Sequence, residues 1–211
     1  PSAVTFDQHP EDVILGGARI QLITSPADRA DLMRRLFGIR DIIIAHFDQR
    51  MMHMDWREFV GQYLVAEHGA VHLVAGHDFH FGYKGEGNPD RLQEECRRLG
   101  IGCDIIPKVV QDGITVSSTY IRSLIAQGEM ERANEFLGHP YTLSNTVAHG
   151  KKLGSTLGFP TVNLAFQPGV MTPAFGVYAT KVYFDEECYL AVTNVGVRPT
   201  VDDGNRVTVE G

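Results

Sequence analysis

Three short apolar runs, DIIIAH (41–46), VHLVAG (71–76) and CDIIP (103–107), recur with helical stretches between them. Each run is too short for a helix and is close to continuously apolar, as expected of strands in a parallel sheet. Helix starts sit between them. Ser25-Pro26 places a capping serine before a proline at the first helical position, and Leu32, Leu36 and Phe37 give that helix an apolar stripe. Asp55 and Glu58 read as a capping-box-like start, with Phe59, Tyr63 and Leu64 facing inward. Asn88-Pro89 opens another helix that should end at Gly100. Together with a first strand at 3–6, this repeated strand-helix order predicts a doubly wound, Rossmann-like α/β domain.

The pattern stops near LGHPYT (137–142). Beyond Gly138 the segments YTLSNTVAHG, FGVYATKVYF, CYLAVTNVG and RVTVE are rich in β-branched and aromatic residues, and none of them reads as a helix. An antiparallel β-barrel or sandwich is expected there, giving one domain over residues 1–138 and a second over 139–211. The chain opens almost directly on a strand and stops as another forms, so both domains are expected to be incomplete.

Composition narrows the function. A formal net charge of −7 over 211 residues argues against a nucleic-acid binder, while leaving room for a small anionic ligand in a local pocket. The three cysteines form no C-x-x-C pair, which favours reduced thiols and a cytoplasmic location. No apolar run is long enough to cross a membrane as a helix.

Several segments are candidates for chemistry. In TVSSTYIRSLIAQG, Ser117, Ser118 and Thr119 stand at a helix start and Arg122 one turn further on. Free backbone N–H groups, hydroxyls and a guanidinium suit phosphate oxygens, although capping alone explains the serines. In GHDFHFG, Asp78 and the two phenylalanines either wrap a flat ring or anchor a loop to the core. His77 and His80 lack the further ligands of a metal site, and His9 in FDQHP either touches a ligand or sits in a turn before proline.

The segment AHGKKLGSTLGFPTVNL carries Gly150, Lys151 and Gly154 in a loop whose backbone can approach phosphates, followed by Thr161 and Asn163 on one face of a strand. Neutral oxygens of that kind suit Mg²⁺ when a nucleotide supplies the negative charge. A glycine-rich hairpin with a polar outer face is the plainer reading. Glu210, in RVTVEG, is either a general base or a solvated glutamate. NVGVRPT, with Arg198, is a turn-rich segment.

In order along the chain, FDQHP, GHDFHFG, VSSTYIR, GKKLGSTLGFPTVNL, FGVYA, NVGVRPT and VTVE resemble the prokaryotic bifunctional riboflavin kinase/FMN adenylyltransferase (FAD synthetase) family. The resemblance implies a Rossmann-like nucleotidyltransferase that adenylylates FMN, followed by a Greek-key β-barrel kinase that phosphorylates riboflavin from ATP. It places Ser117, Ser118, Thr119 and Arg122 at nucleotide phosphates and Asp78 and Phe81 at the flavin. It makes Gly150, Lys151, Gly154, Thr161 and Asn163 part of an Mg-ATP site and Glu210 the base. The family's H-x-G-H motif is not among the 211 residues, and Gln8 stands where proline is usual. A single-activity riboflavin kinase and a non-catalytic flavin- or nucleotide-binding regulator are the alternative readings.

Overall fold

The computed structural model describes residues 1–17, 20–148, 163–165, 167, 169–184, 187–198 and 206–210. It divides into two compact units that interleave along the chain: Pro1–Ile20 with Ile39–Val116, and Gln21–Gly38 with Ser117–Gly211.

In the first unit, β1 (Ser2–Phe6) pairs in parallel with β2 (Asp41–Ala45), and β3 (His72–Gly76) pairs in parallel with β4 (Gly102–Ile106). The sequence led to one doubly wound sheet. Among the described residues there are instead two separate two-stranded parallel ladders, because no hydrogen-bonded edge joins one pair to the other. For the same reason DIIIA is not the fully covered strand its composition suggests, and Ile44 is exposed.

Helices of this unit begin where their caps allow. Short α1 (Pro10–Ile14) follows β1, and His9, the histidine of FDQHP, caps it by accepting the Glu11 N–H through Nδ1. Asp48 caps α3 (Gln49–His53), and Asp55 caps α4 (Trp56–Glu58), accepting from the Arg57 N–H at 2.8 Å. The chain then runs on in π geometry through Phe59–Glu67, a wider winding than the periodicity of its apolar residues indicated. The final helix, α5 (Pro89–Leu99), is capped by Asn88 and stopped by Gly100 in the left-handed conformation.

Trp56, Phe59, Val60, Leu64, Phe81, Leu92 and Cys96 form the core, and Leu73, Ala75, Cys103 and Ile105 of the β3–β4 ladder pack against it. Burial and the neighbouring Cys103 thiol push the Cys96 thiol up to about 12, so it stays protonated at neutral pH. Glu95 is also buried on α5 and is held by a two-toothed contact from Arg98 (Nε–Oε2 2.9 Å, Nη2–Oε1 2.5 Å), with Arg57 Nε 3.9 Å away. The Arg98 contact keeps this carboxyl below the usual carboxylate range despite its burial.

The second unit joins helices to an antiparallel sheet. Its helices are α2 (Pro26–Phe37), α6 (Ser118–Gln127) and α7 (Met130–Leu137). Ser25 caps α2 as its sequence indicates, but Leu36 and Phe37 are exposed, and Asp28 and Ala30 lie on the buried side instead. Backbone bonds tie this helix's approach to the C-terminal segment: the Leu22 N–H donates to Gly169 O at 2.7 Å and the Met171 N–H to Leu22 O at 2.8 Å. Ile121, Leu124, Ile125, Ala133 and Phe136 are buried on α6 and α7, and Ala174 N–H reaches Ile125 O at 3.2 Å.

The hairpin Val110–Gln111 (β5) and Ile114–Thr115 (β6), turning at Asp112-Gly113, precedes α6 in the first unit. In the second unit, β7 (Val147–Ala148), β8 (Asn163–Ala165), β9 (Gly176–Phe184), β10 (Glu187–Arg198) and β11 (Arg206–Glu210) form a five-stranded sheet in the order β7-β8-β11-β10-β9. Among the described residues it is an open sheet rather than a closed barrel, since β7 and β9 are its edges and do not pair. Thr193 and Val195 are buried on one face, with the Thr193 and Thr180 hydroxyls 2.6 Å apart.

Glu95 gives a direct test of the first unit. Replacing it with alanine leaves the Arg98 and Arg57 charges without their shared partner and opens space in the core. Because Arg98 and Arg57 are themselves more than half exposed, a loss of about 1–2 kcal/mol of stability is expected in chemical denaturation of Glu95→Ala, and a change within experimental error would contradict this account.

Candidate functional site

Ligands of α/β proteins gather beyond the carboxyl ends of parallel strands. At the ends of β1 and β2 the chain builds a tight polar junction. Asp7 accepts from the Phe47 N–H through Oδ1 at 3.1 Å and bonds the His46 ring at Nδ1 through Oδ2 at 2.5 Å. Gln8 donates to Phe47 O at 2.8 Å. Burial opposes ionisation of Asp7, but the His46 and Phe47 bonds outweigh it and lower the carboxyl, while the same contact raises the imidazole. The FDQHP motif holds this aspartate, yet its partner lies 39 residues on, so only the strand pairing reveals it.

The 76–82 loop follows β3. Asp78 is largely exposed, with Oδ1 3.9 Å from His77 Nδ1. Phe81 is different. It is 6% exposed, stacks on Phe79 at 5.1 Å between centroids and lies 5.6 Å from Phe59. Its backbone exchanges two hydrogen bonds with Gly87. Glycine is required on both sides: a side chain at Gly82, where φ is +74°, would meet the Trp56 backbone, and one at Gly87 would meet the Phe81 ring. The loop is therefore pinned to the core through Phe81 and presents Asp78 outward.

Ser117 caps α6, accepting the Tyr120 N–H at 3.2 Å, and Ser118 and Thr119 stand exposed in the first turn. Arg122 donates from Nε to Gln21 O at 2.8 Å, which fixes its place beside that turn. Four backbone N–H groups at such a start have no partner within the helix, and the serine satisfies only one.

In the sheet of the second unit, β11 pairs with β8 and with β10. That register sets Glu210 directly opposite Asn163 on one side and Asn194 on the other. Asn194 was hidden in the sequence within NVGVRPT, where nothing local distinguishes it. Arg198, from the same segment, is paired in register with Arg206. Gly150, Lys151, Gly154 and Thr161 lie outside the described residues. Among the described residues no group of three or more His, Cys, Asp or Glu side chains is placed to hold a metal ion.

Residues 1–120 match the FAD synthetase family model and residues 137–211 match the riboflavin kinase model. The chain belongs to the bifunctional riboflavin kinase/FAD synthetase family. It is 36% identical over 212 aligned residues to the bifunctional riboflavin kinase/FMN adenylyltransferase of Listeria monocytogenes, covering 99% of this chain and 66% of that protein. The Bacillus subtilis protein of the same description is 33% identical, covering 94% of this chain and 62% of the relative. The chain thus spans a little under two thirds of these relatives' length. A solved structure described as a macrolide-efflux protein from Streptococcus pneumoniae superposes with a TM-score of 0.80 at 28% identity, covering 99% of this chain and 67% of that one. No helix among the described residues is long and apolar enough to cross a membrane.

The Asp7–His46 pair predicts a pH signature. The raised imidazole contributes fully below its unfolded value of 6.5 and fades as pH rises through the folded one. The lowered carboxyl contributes above 3.8 and fades as pH falls through its folded value. The melting-temperature difference between wild type and Asp7→Asn should be largest between about pH 4 and 6.5 and smaller at pH 9. Equal differences at pH 5 and pH 9 would contradict an ionic pair.

Proposed function

We propose that this protein makes FMN and FAD: it phosphorylates riboflavin from ATP in the module over residues 139–211 and adenylylates FMN in the module over 1–138. The observation that carries this reading is the register of β8 and β11, which puts Glu210 and Asn163, the residues assigned here as base and cation ligand, in directly paired positions on neighbouring strands. Both family matches support it, each falling on the part of the chain that holds the corresponding motifs.

In the kinase step, Glu210 takes the proton of the ribityl 5′-hydroxyl as its oxygen attacks the γ-phosphorus of ATP and ADP leaves. Thr161 and Asn163 would hold the nucleotide's cation through neutral oxygens, and Gly150, Lys151 and Gly154 would serve the phosphates. When bound with ATP, Mg²⁺ would neutralise charge on the phosphate oxygens.

In the adenylyl step, a phosphate oxygen of FMN attacks the α-phosphorus of ATP and pyrophosphate leaves. The start of α6, with Ser117, Ser118, Thr119 and Arg122, binds phosphate through backbone N–H groups, hydroxyls and the guanidinium. Its work is positioning and charge neutralisation. The family resemblance gives Asp78 to the flavin. Phe81 serves that contact by fixing the loop, since its ring is packed against Phe59 and Phe79. The reading places the protein in the cytoplasm, with ATP, riboflavin and FMN as its ligands and neither nucleic acid nor membrane as a partner.

Two substitutions separate the steps. Glu210→Gln should slow riboflavin phosphorylation about 100-fold or more while leaving conversion of supplied FMN to FAD near wild type. Arg122→Ala should do the reverse, slowing FAD formation by about tenfold or more. Wild-type phosphorylation by Glu210→Gln would overturn the base assignment, and loss of both steps in either variant would overturn the division into two modules.

A further inference from the structure

The row that holds Asn163 and Glu210 does not end there. Asn194 on β10 is paired in register with Glu210, and Val177 on β9 is paired with Asn194. Directly opposed positions of an antiparallel ladder lie on the same side of the sheet with Cβ atoms about 4.5–5.5 Å apart. The side that Asn194 occupies is clear from β10 itself. Thr193 and Val195 are 6% and 3% exposed, whereas Asn194 faces outward together with Val192 at 72% and Leu190 at 85%. Val177 and Phe175, both exposed, extend this surface on and before β9. An amide thus stands at the border between an open apolar strip and the row that holds Glu210.

We infer that Asn194 is a positioning residue for riboflavin phosphorylation: its place directly opposite Glu210 in the ladder offers a neutral donor beside the group that receives the hydroxyl proton. A carboxylate accepts only, so a neutral N–H donor on the adjacent strand fixes one oxygen and leaves the other for substrate. A cationic donor would lower its basicity further. The Asn194 amide lies over Gly196 of its own strand, with Nδ2 3.6 Å from where a side chain there would begin, and it adds no charge beside the carboxylate. Asn163 and Asn194 then divide the work on the two sides of β11: the first belongs to the nucleotide's cation and the second to the base.

This inference rests on the assignment of Glu210 as base, and a double-mutant cycle on the intact protein keeps the two separable. With riboflavin and Mg-ATP as substrates, Asn194→Ala should lower kcat roughly tenfold with little change in either KM, because the loss falls on the proton-transfer step. Asn194→Gln, which keeps the amide on a longer arm, should retain more of the rate than Asn194→Ala. In the Glu210→Gln background, Asn194→Ala should cost less than threefold, because the group it serves is already gone. Melting temperatures of the Asn194 variants should stay close to wild type, since the position is exposed.

An Asn194→Ala protein with wild-type kcat would overturn the inference while leaving the base assignment standing. So would a full tenfold loss repeated on the Glu210→Gln background, which would mark a purely structural role. Unimpaired phosphorylation by Glu210→Gln would instead remove the base assignment, and this inference with it.

Discussion

Pairing between β10 and β11 is the constraint on which the account of the second unit depends. It runs from Asn194 opposite Glu210 to Arg198 opposite Arg206, and a slip of one residue would exchange the two faces of β11 throughout. Register of this kind is strongly specified when one face is buried. On β10 that burial is supplied by Thr193 and Val195, which face the rest of the unit, and by the Thr180–Thr193 hydroxyl contact across the hairpin. Packing on one side of the sheet therefore fixes which residues meet on the other. The stability of the fold and the assembly of the polar row are consequences of the same alternation.

The first unit works by a different device. The β1–β2 ladder ends in a short polar junction, where side chains add to the backbone bond from the Asp7 N–H to Ala45 O. Asp7 spans β1 and β2 by taking both a ring nitrogen and a backbone N–H. After β3, aromatic packing does the equivalent job, with Phe81 buried against Phe59 so that the neighbouring Asp78 is held out. The candidate residue Asp78 thus stands on a loop anchored to the core.

Local chemistry made much of this legible from the sequence. Ser25, Asn88 and Ser117 all cap the helices their patterns announce, and Gly100 and Gly138 both end helices in the left-handed conformation, because capping needs only neighbours within a few residues. Non-local pairing was not legible. Nothing in DIIIA shows that its ladder has two strands among the described residues, and nothing near Leu22 shows that it bonds to residues 169 and 171. The paired phenylalanines of GHDFHFG looked alike, and only packing distinguishes the buried Phe81. Asn194 needed two strand pairings before it could be seen beside Glu210.

The central claim is that the chemistry proposed for the strands around Glu210 is phosphoryl transfer to a flavin. The most direct measurement is chromatographic separation of fluorescent flavins after the intact protein is incubated with riboflavin and Mg-ATP. The account predicts that FMN appears first and FAD follows at its expense. Riboflavin recovered unchanged, with the protein folded and the flavin bound to it, would contradict the account and mark the protein as a flavin binder without this chemistry.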